Sequence, residues 1–213
     1  RCPVSSIVLS AMLVVANVMG AGMIVPQVAR LNRLKTTEGI SAAWIGVGLA
    51  MNLWWVGYGL ANGLWGIIPV SVVAFALYLV MAAQFVALNG LGSLRSCARG
   101  AALLGLLPVP ALVLSGWPTA GLVVGLCYAI QFAPAALAAV RSDQLEGVSP
   151  VTWVMAGTEA AIWLVYGFHQ GDAALIIGGG GGLAMSCLIL VRLTRHVAAR
   201  RAVTPADELV LAR

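Results

Sequence analysis

One stretch of this chain occurs twice. Residues 26–41 read PQVARLNRLKTTEGIS, and an altered copy returns 108 residues later, without a gap, as PAALAAVRSDQLEGVS at 134–149. Pro26 pairs with Pro134, Arg33 with Arg141, Glu38-Gly39 with Glu146-Gly147 and Ser41 with Ser149. The same register carries Trp55 onto Trp163, Tyr58-Gly59 onto Tyr166-Gly167 and Gly63 onto Gly171. A duplicated unit constrains the fold to two related halves and places a site most naturally at their interface.

The halves belong in a bilayer. The chain is 61% hydrophobic and 9% charged, with a mean hydropathy of +0.98, where a soluble domain carries about 25% charged residues. Residues 39–94 and 100–140 contain no Asp, Glu, Lys or Arg at all. A helical span needs ~20 apolar residues, because each residue rises ~1.5 Å across ~30 Å of hydrocarbon. Each charge-free stretch therefore holds two spans. Helices are expected near 5–29, 40–62, 65–88, 100–116, 119–140, 149–168 and 173–194, an all-α integral membrane protein with seven transmembrane helices.

The excess of 12 basic over 7 acidic side chains is a topology signal rather than a nucleic-acid surface. With seven spans, one side receives Arg30, Arg33, Lys35, Arg95, Arg99, Arg141, Arg192, Arg195, Arg200, Arg201 and Arg213, and the other only Arg1. This positive-inside bias puts the N-terminus outside and the C-terminus in the cytoplasm, and the plasma membrane is the expected location. The basic run at 192–201 suits contact with anionic lipid. Cys2, Cys97, Cys127 and Cys187 lack metal spacing and read as small apolar fillers, so neither metal nor cofactor is expected. The first helix is too long for a cleaved signal peptide, and a basic loop follows it. Starting at Arg1 rather than Met, the sequence is expected to lack its natural first residues.

Three spans reverse the chain, so a second three-helix unit joined directly would come out inverted. One extra helix restores the direction. The expected organisation is a three-helix repeat over 1–90, a linker with the fourth helix over 91–117, a second repeat over 118–197 and a cytoplasmic tail over 198–213. The two bundles are then parallel, related about an axis along the membrane normal (3+1+3). Residues 91–99 read as a flexible linker and the tail as frayed. The turns at Asn62-Gly63 and Gln170-Gly171 are short, as between antiparallel neighbours.

Pro26-Gln27, the basic loop, Glu38-Gly39-Ile40-Ser41 and Trp55-x-x-Tyr58-Gly59 together resemble a PQ-loop repeat. Two such repeats around a linker helix resemble the SWEET transporters or a bacterial relative, over nearly all of the chain except the tail. SWEETs are themselves examples of the parallel-repeat arrangement. The resemblance implies a seven-helix carrier that moves sugars, or amino acids and related metabolites in other PQ-loop branches. It also implies hinge prolines, matched by Pro26, Pro134 and Pro150, with Ala42 at the fourth place. Ala135 replaces the second Gln. Where SWEETs place a sugar-binding asparagine in the third helix of each repeat, spacing from the Tyr-Gly pairs reaches Ala74 and Gly182, neither of which donates a side-chain hydrogen bond.

Individual residues carry the rest. Pro26 and Pro134 remove a helix hydrogen bond and clash with the preceding turn, as a gate hinge or a static kink would. Gln27 belongs to the same gate. The resemblance makes Trp55 and Trp163 flank the solute; an interfacial, lipid-facing role is the bland alternative, accepted for Trp44, Trp65, Trp117 and Trp153. Tyr58 and Tyr166, one turn further, read as an outer gate or as packing. Glu159 is the one acidic side chain expected in mid-membrane, where a carboxylate costs at least ~2.5 kcal/mol unless paired, protonated or wet. It shares a helix face with Trp163 and Tyr166 at i+4 and i+7, so it is expected to accept from a substrate or carry a proton, or else to bond a neighbouring helix. Asn52 is either pore lining or interhelical glue, and Asn17 and Gln131 pose the same choice with less weight. Gly178–Gly182 either expose backbone to a pore or let helices pack closely.

Other classes fit less well. His169 and His196 have no catalytic constellation around them, so no enzyme is expected. Lys35 lies in a loop, not buried as a retinal Schiff base requires. A non-transporting seven-helix receptor would need longer outer loops, and a sorting role is the remaining rival. The expected function is a carrier of a small polar solute, first sugar uniport by alternating access, second proton-linked transport of an amino acid or related metabolite. The expected partners are the solute, the lipid bilayer and, for the second reading, protons; nucleic acid is not among them, and a homo-oligomer is compatible.

Overall fold

The computed structural model describes residues 6–37, 40–141 and 148–211. Glu38-Gly39, Glu146-Gly147, Arg1, Cys2 and Arg213 lie outside them. The described residues form helices α1 (Ser6–Leu34), α2 (Ala42–Asn62), α3 (Ile68–Asn89), α4 (Ser93–Gly105), α5 (Pro108–Ile130), α6 (Ala133–Arg141), α7 (Pro150–Gln170) and α8 (Ala173–Leu211). A 3₁₀ turn, Trp65–Ile67, leads into α3.

These eight helices make seven crossings. Gly116 (φ 78°, ψ −172°) breaks α5, and the Cys127 thiol lies 3.9 Å from the carbonyl of Leu104. The chain has therefore doubled back between them. α4 and the start of α5 form the fourth crossing; the rest of α5 and α6 form the fifth. Five segments are long and apolar enough to span a bilayer: Ser6–Leu34, Trp65–Asn89, Pro108–Arg141, Pro150–Gln170 and Ala173–His196. α2 is uncharged over 21 residues.

Two local expectations are corrected. Residues 93–99 are not a flexible linker but the first turns of α4, held on α2 through glycines. A Cβ on Gly46 would strike the Cys97 carbonyl, and one on Gly100 the Ala43 carbonyl, so the two backbones touch and the segment is fixed. The tail does not unwind at Ala198, because α8 stays helical to Leu211.

The halves share a packing order. α3 lies between α1 and α2, and α8 between α5–α6 and α7. The halves meet where α1 packs on α7 and α2 on α5. Running away from the layer of Leu13, Gly66 and Tyr166, α1 and α3 descend together toward Arg33 and Arg95. α5 descends with α8, since Gly121 meets Tyr58 and Gly125 meets Ala174. The two three-helix bundles are thus parallel.

The repeated residues have repeated jobs. Ser41 and Ser149 are N-caps of α2 and α7, each hydroxyl accepting a backbone N–H at 3.4 Å, from Trp44 and Thr152. Gly63 and Gly171 end those helices in the left-handed region, at φ 67° and 70°, where a Cβ is disfavoured. The starts of α3 and α8 are capped differently. Asn17 Oδ1 accepts from Val70 N at 2.6 Å, whereas Asp172 Oδ1 accepts from Leu175 N at 2.9 Å. Asn17 also donates to Gly66 O at 3.1 Å, so it is interhelical glue and not pore lining.

Candidate functional site

A cavity of about 360 Å³ lies between the halves, with walls from α1, α2, α3, α5, α6, α7 and α8. It reaches from Trp55 and Trp163 down to Gln27, Trp44 and Trp153, toward the end that carries Arg33, Arg95 and Arg141. The other end is sealed by a buried layer of Trp55, Tyr58, Leu64, Ile67, Ile162, Trp163 and Tyr166. Across that layer the Tyr58 hydroxyl donates to Asp172 Oδ2 at 2.7 Å.

Helix periodicity places each side chain. α7 puts Glu159 and Trp163 one turn apart, and the Trp163 indole Nε1 donates to Glu159 Oε1 at 3.0 Å. Glu159 is only 5% exposed. Gly20 of α1 backs it: a Cβ there would collide with Glu159 Oε1 and meet Val70 Cγ2 at 2.8 Å. On α2, Asn52 Nδ2 donates to Gly48 O at 2.7 Å, which leaves the amide oxygen as its acceptor. Trp55 stacks edge-on to Tyr128 with ring centres 6.0 Å apart. Tyr128 stacks on Phe132 at 5.3 Å and Phe132 on Trp153 at 6.4 Å, and Trp44 stacks on Tyr78 at 5.2 Å. Edge-to-face contacts at these separations fix ring orientations.

Trp55, Trp163, Asn52, Glu159, Gln27 and Gln131 thus line one cavity. Tyr58 and Tyr166 do not; one turn beyond the tryptophans, they sit in the sealed layer. The prolines stand outside the cavity wall. Pro26 is inside α1. Pro134 follows the break at Gln131–Phe132 between α5 and α6, where Phe132 N falls back on Ala129 O at 3.3 Å. Pro150 occupies the start of α7, where its fixed φ begins a helix rather than bending one.

Trp44 and Trp153 are corrected: both face the cavity, because the first turns of α2 and α7 lie at its mouth. Trp65, 69% exposed, faces outward as expected, and Trp117 packs on Trp54 and Tyr58. The sequence reading missed Tyr78, Tyr128 and Asp172. Asp172 follows a left-handed glycine and precedes a helix, which signals an N-cap, but its hydroxyl partner lies 114 residues away. Gly178 and Gly179 line the cavity, while Gly181 packs on Ala129, so the glycine run serves both purposes.

A eukaryotic SWEET transporter solved at 3.7 Å resolution superposes with a TM-score of 0.71 over 89% of this chain and 97% of that one, at 18% sequence identity. This chain has a SWEET-like fold. No protein-family model and no curated protein sequence matches it. The SWEET-like fold is that of an all-α membrane protein with 3+1+3 helices.

Proposed function

We propose that this protein carries a small polar solute across a membrane by alternating access. The observation that supports this reading most is the cavity between two parallel bundles, extended toward one end and sealed at the other by Trp55, Tyr58, Trp163 and Tyr166. A carrier needs a central site with access from one side at a time, and rocking of repeated halves supplies it. Solute would lie against Trp55 and Trp163, with Glu159 and Asn52 as polar contacts. Pro26, Gln27 and Pro134 would work the gate at the basic end. The eleven-to-one distribution of basic residues supports a cytoplasmic basic end.

Sugar uniport follows from the likeness of architecture, and a proton-linked amino-bearing solute follows from Glu159. Reconstitution in proteoliposomes tests the shared claim. Saturable uptake of at least one labelled sugar, amino acid or amine is expected, and Pro26→Ala should keep solute binding while slowing flux. Uptake equal to that of empty liposomes across all three classes would refute the carrier.

A further inference from the structure

The chemistry of the cavity wall narrows the solute. Among the described residues that line it, Glu159 is the one charged side chain; no Lys, Arg or His joins it. Seven aromatic rings line the same cavity: Trp44, Trp55, Tyr78, Tyr128, Phe132, Trp153 and Trp163. Aromatic faces carry negative quadrupole density and attract cations, most strongly when the site is desolvated. A buried carboxylate without a counter-charge is costly, and a fitting cation removes that cost.

The hydrogen-bonding inventory is compatible with a cation. Three polar groups of the wall donate within the protein: Trp163 Nε1 to Glu159, one of the two Asn52 Nδ2 hydrogens to Gly48 O and Ser71 Oγ to Ile67 O. Acceptors are left over. Asn52 keeps its amide oxygen, and Gln27 Oε1 is buried without a donor. The Tyr78, Tyr128 and Thr152 hydroxyls of the wall can accept as well as donate, so a wall of π faces with one carboxylate accommodates a solute that brings donors and positive charge.

We infer that the cavity selects a small organic ammonium ion, with Glu159 as its counter-ion and the Trp and Tyr rings as its box. This rests on the carrier reading for the purpose of the site, and it separates three solutes that reading leaves together. A neutral sugar brings no charge to compensate an ionised Glu159. An amino acid zwitterion satisfies Glu159 through its ammonium but brings a carboxylate for which the described wall has no cation. A monoamine satisfies Glu159 and leaves no charge over.

The test is equilibrium binding to the purified full chain in detergent, read by intrinsic tryptophan fluorescence and thermal shift. The probes are cyclohexylammonium, cyclohexanol, glucose and leucine. Cyclohexylammonium should bind saturably and at least about tenfold tighter than cyclohexanol, since ~1.4 kcal/mol of charge-specific interaction is worth a factor of ten. Glu159→Gln should erase that preference, leaving cyclohexylammonium no tighter than cyclohexanol on the same variant. Equal or tighter binding of cyclohexanol, glucose or leucine would overturn the inference and leave the carrier reading standing. So would a Glu159→Gln protein that still prefers the ammonium ion. If that variant does not fold, the four-probe comparison on the unaltered chain decides. Absence of saturable ammonium binding also overturns the inference, and the uptake experiment separately decides whether the carrier reading falls with it.

Discussion

The Tyr58 hydroxyl and the Asp172 carboxylate meet at 2.7 Å although 114 residues separate them. Tyr58 stands near the end of α2 in one half, and Asp172 caps the start of α8 in the other. This bond crosses the boundary between the halves at the sealed end of the cavity, where opening would have to break it.

Tyr58→Phe removes the bond and little else. A hydrogen bond to a charged acceptor contributes ~1.5–3 kcal/mol, so the ratio of sealed to open protein should fall by about tenfold or more. With native cysteines replaced and Ser71→Cys as a reporter in the cavity, an impermeant thiol reagent applied from the sealed end should label Tyr58→Phe faster. Asp172→Asn keeps the helix cap and should behave alike. Asp172→Ala also loses the cap and should lower the melting temperature further, by the equivalent of ~1 kcal/mol. Unchanged labelling in Tyr58→Phe would deny the bond any part in closure.

Asn17 holds α1 to the start of α3 with both ends of its amide, accepting from Val70 N and donating to Gly66 O and Leu13 O. Asn17→Leu orphans a partly buried backbone N–H, which costs ~1–3 kcal/mol. A clear drop in thermal stability is expected, with little change in solute affinity because Asn17 stands outside the cavity wall. The reverse pattern, full stability with lost binding, would make Asn17 a site residue after all.

The repeat made much of this fold legible. Ser41 with Ser149 and Gly63 with Gly171 recur because the same helix ends need the same caps, and matched Trp55 and Trp163 lead to the same cavity. Charge-free stretches gave the crossings within a few residues, except where α4 begins early. What the sequence concealed lies in departures from the repeat. In the repeat register Gly20 answers to Tyr128 and Glu159 to Met51, so neither the carboxyl-to-glycine contact nor the Tyr128 ring has a mirror image to announce it. Trp44 and Trp153 look interfacial by position, and only the tilt of helix ends around a cavity turns them inward. Partners such as Tyr58 and Asp172 depend on how one half docks on the other, which local pattern does not encode.

The early start of α4 gives a sharp stability test. A Cβ at Gly46 or Gly100 meets backbone on the facing helix, and backbone cannot rotate away as a side chain can. Overpacking costs ~1–3 kcal/mol, occasionally more. Gly46→Ala and Gly100→Ala should therefore depress folded yield and melting temperature, while Gly92→Ala, which faces open space, should not. Wild-type stability of both buried variants would mean that α4 does not lie on α2.

Gly20 and Glu159 should be coupled. Gly20→Ala drives a methyl group into Glu159 Oε1, so either α1 backs away from α7 or the carboxyl swings off Trp163 Nε1. Both routes lose contacts made across the boundary between the halves. The single change should destabilise by ~1–3 kcal/mol, whereas Gly22→Ala, with open space beside it, should stay within ~0.5 kcal/mol of the original. Glu159→Ala removes the obstructing group, so the double variant should recover part of the loss, with a coupling of at least ~0.5 kcal/mol in a thermal-denaturation cycle. Val70 Cγ2 also crowds the new methyl at 2.8 Å, which is why recovery should be partial. Strictly additive effects would show that α1 approaches α7 for reasons unrelated to the carboxyl, and that the glycine is not there to seat Glu159 at the cavity wall.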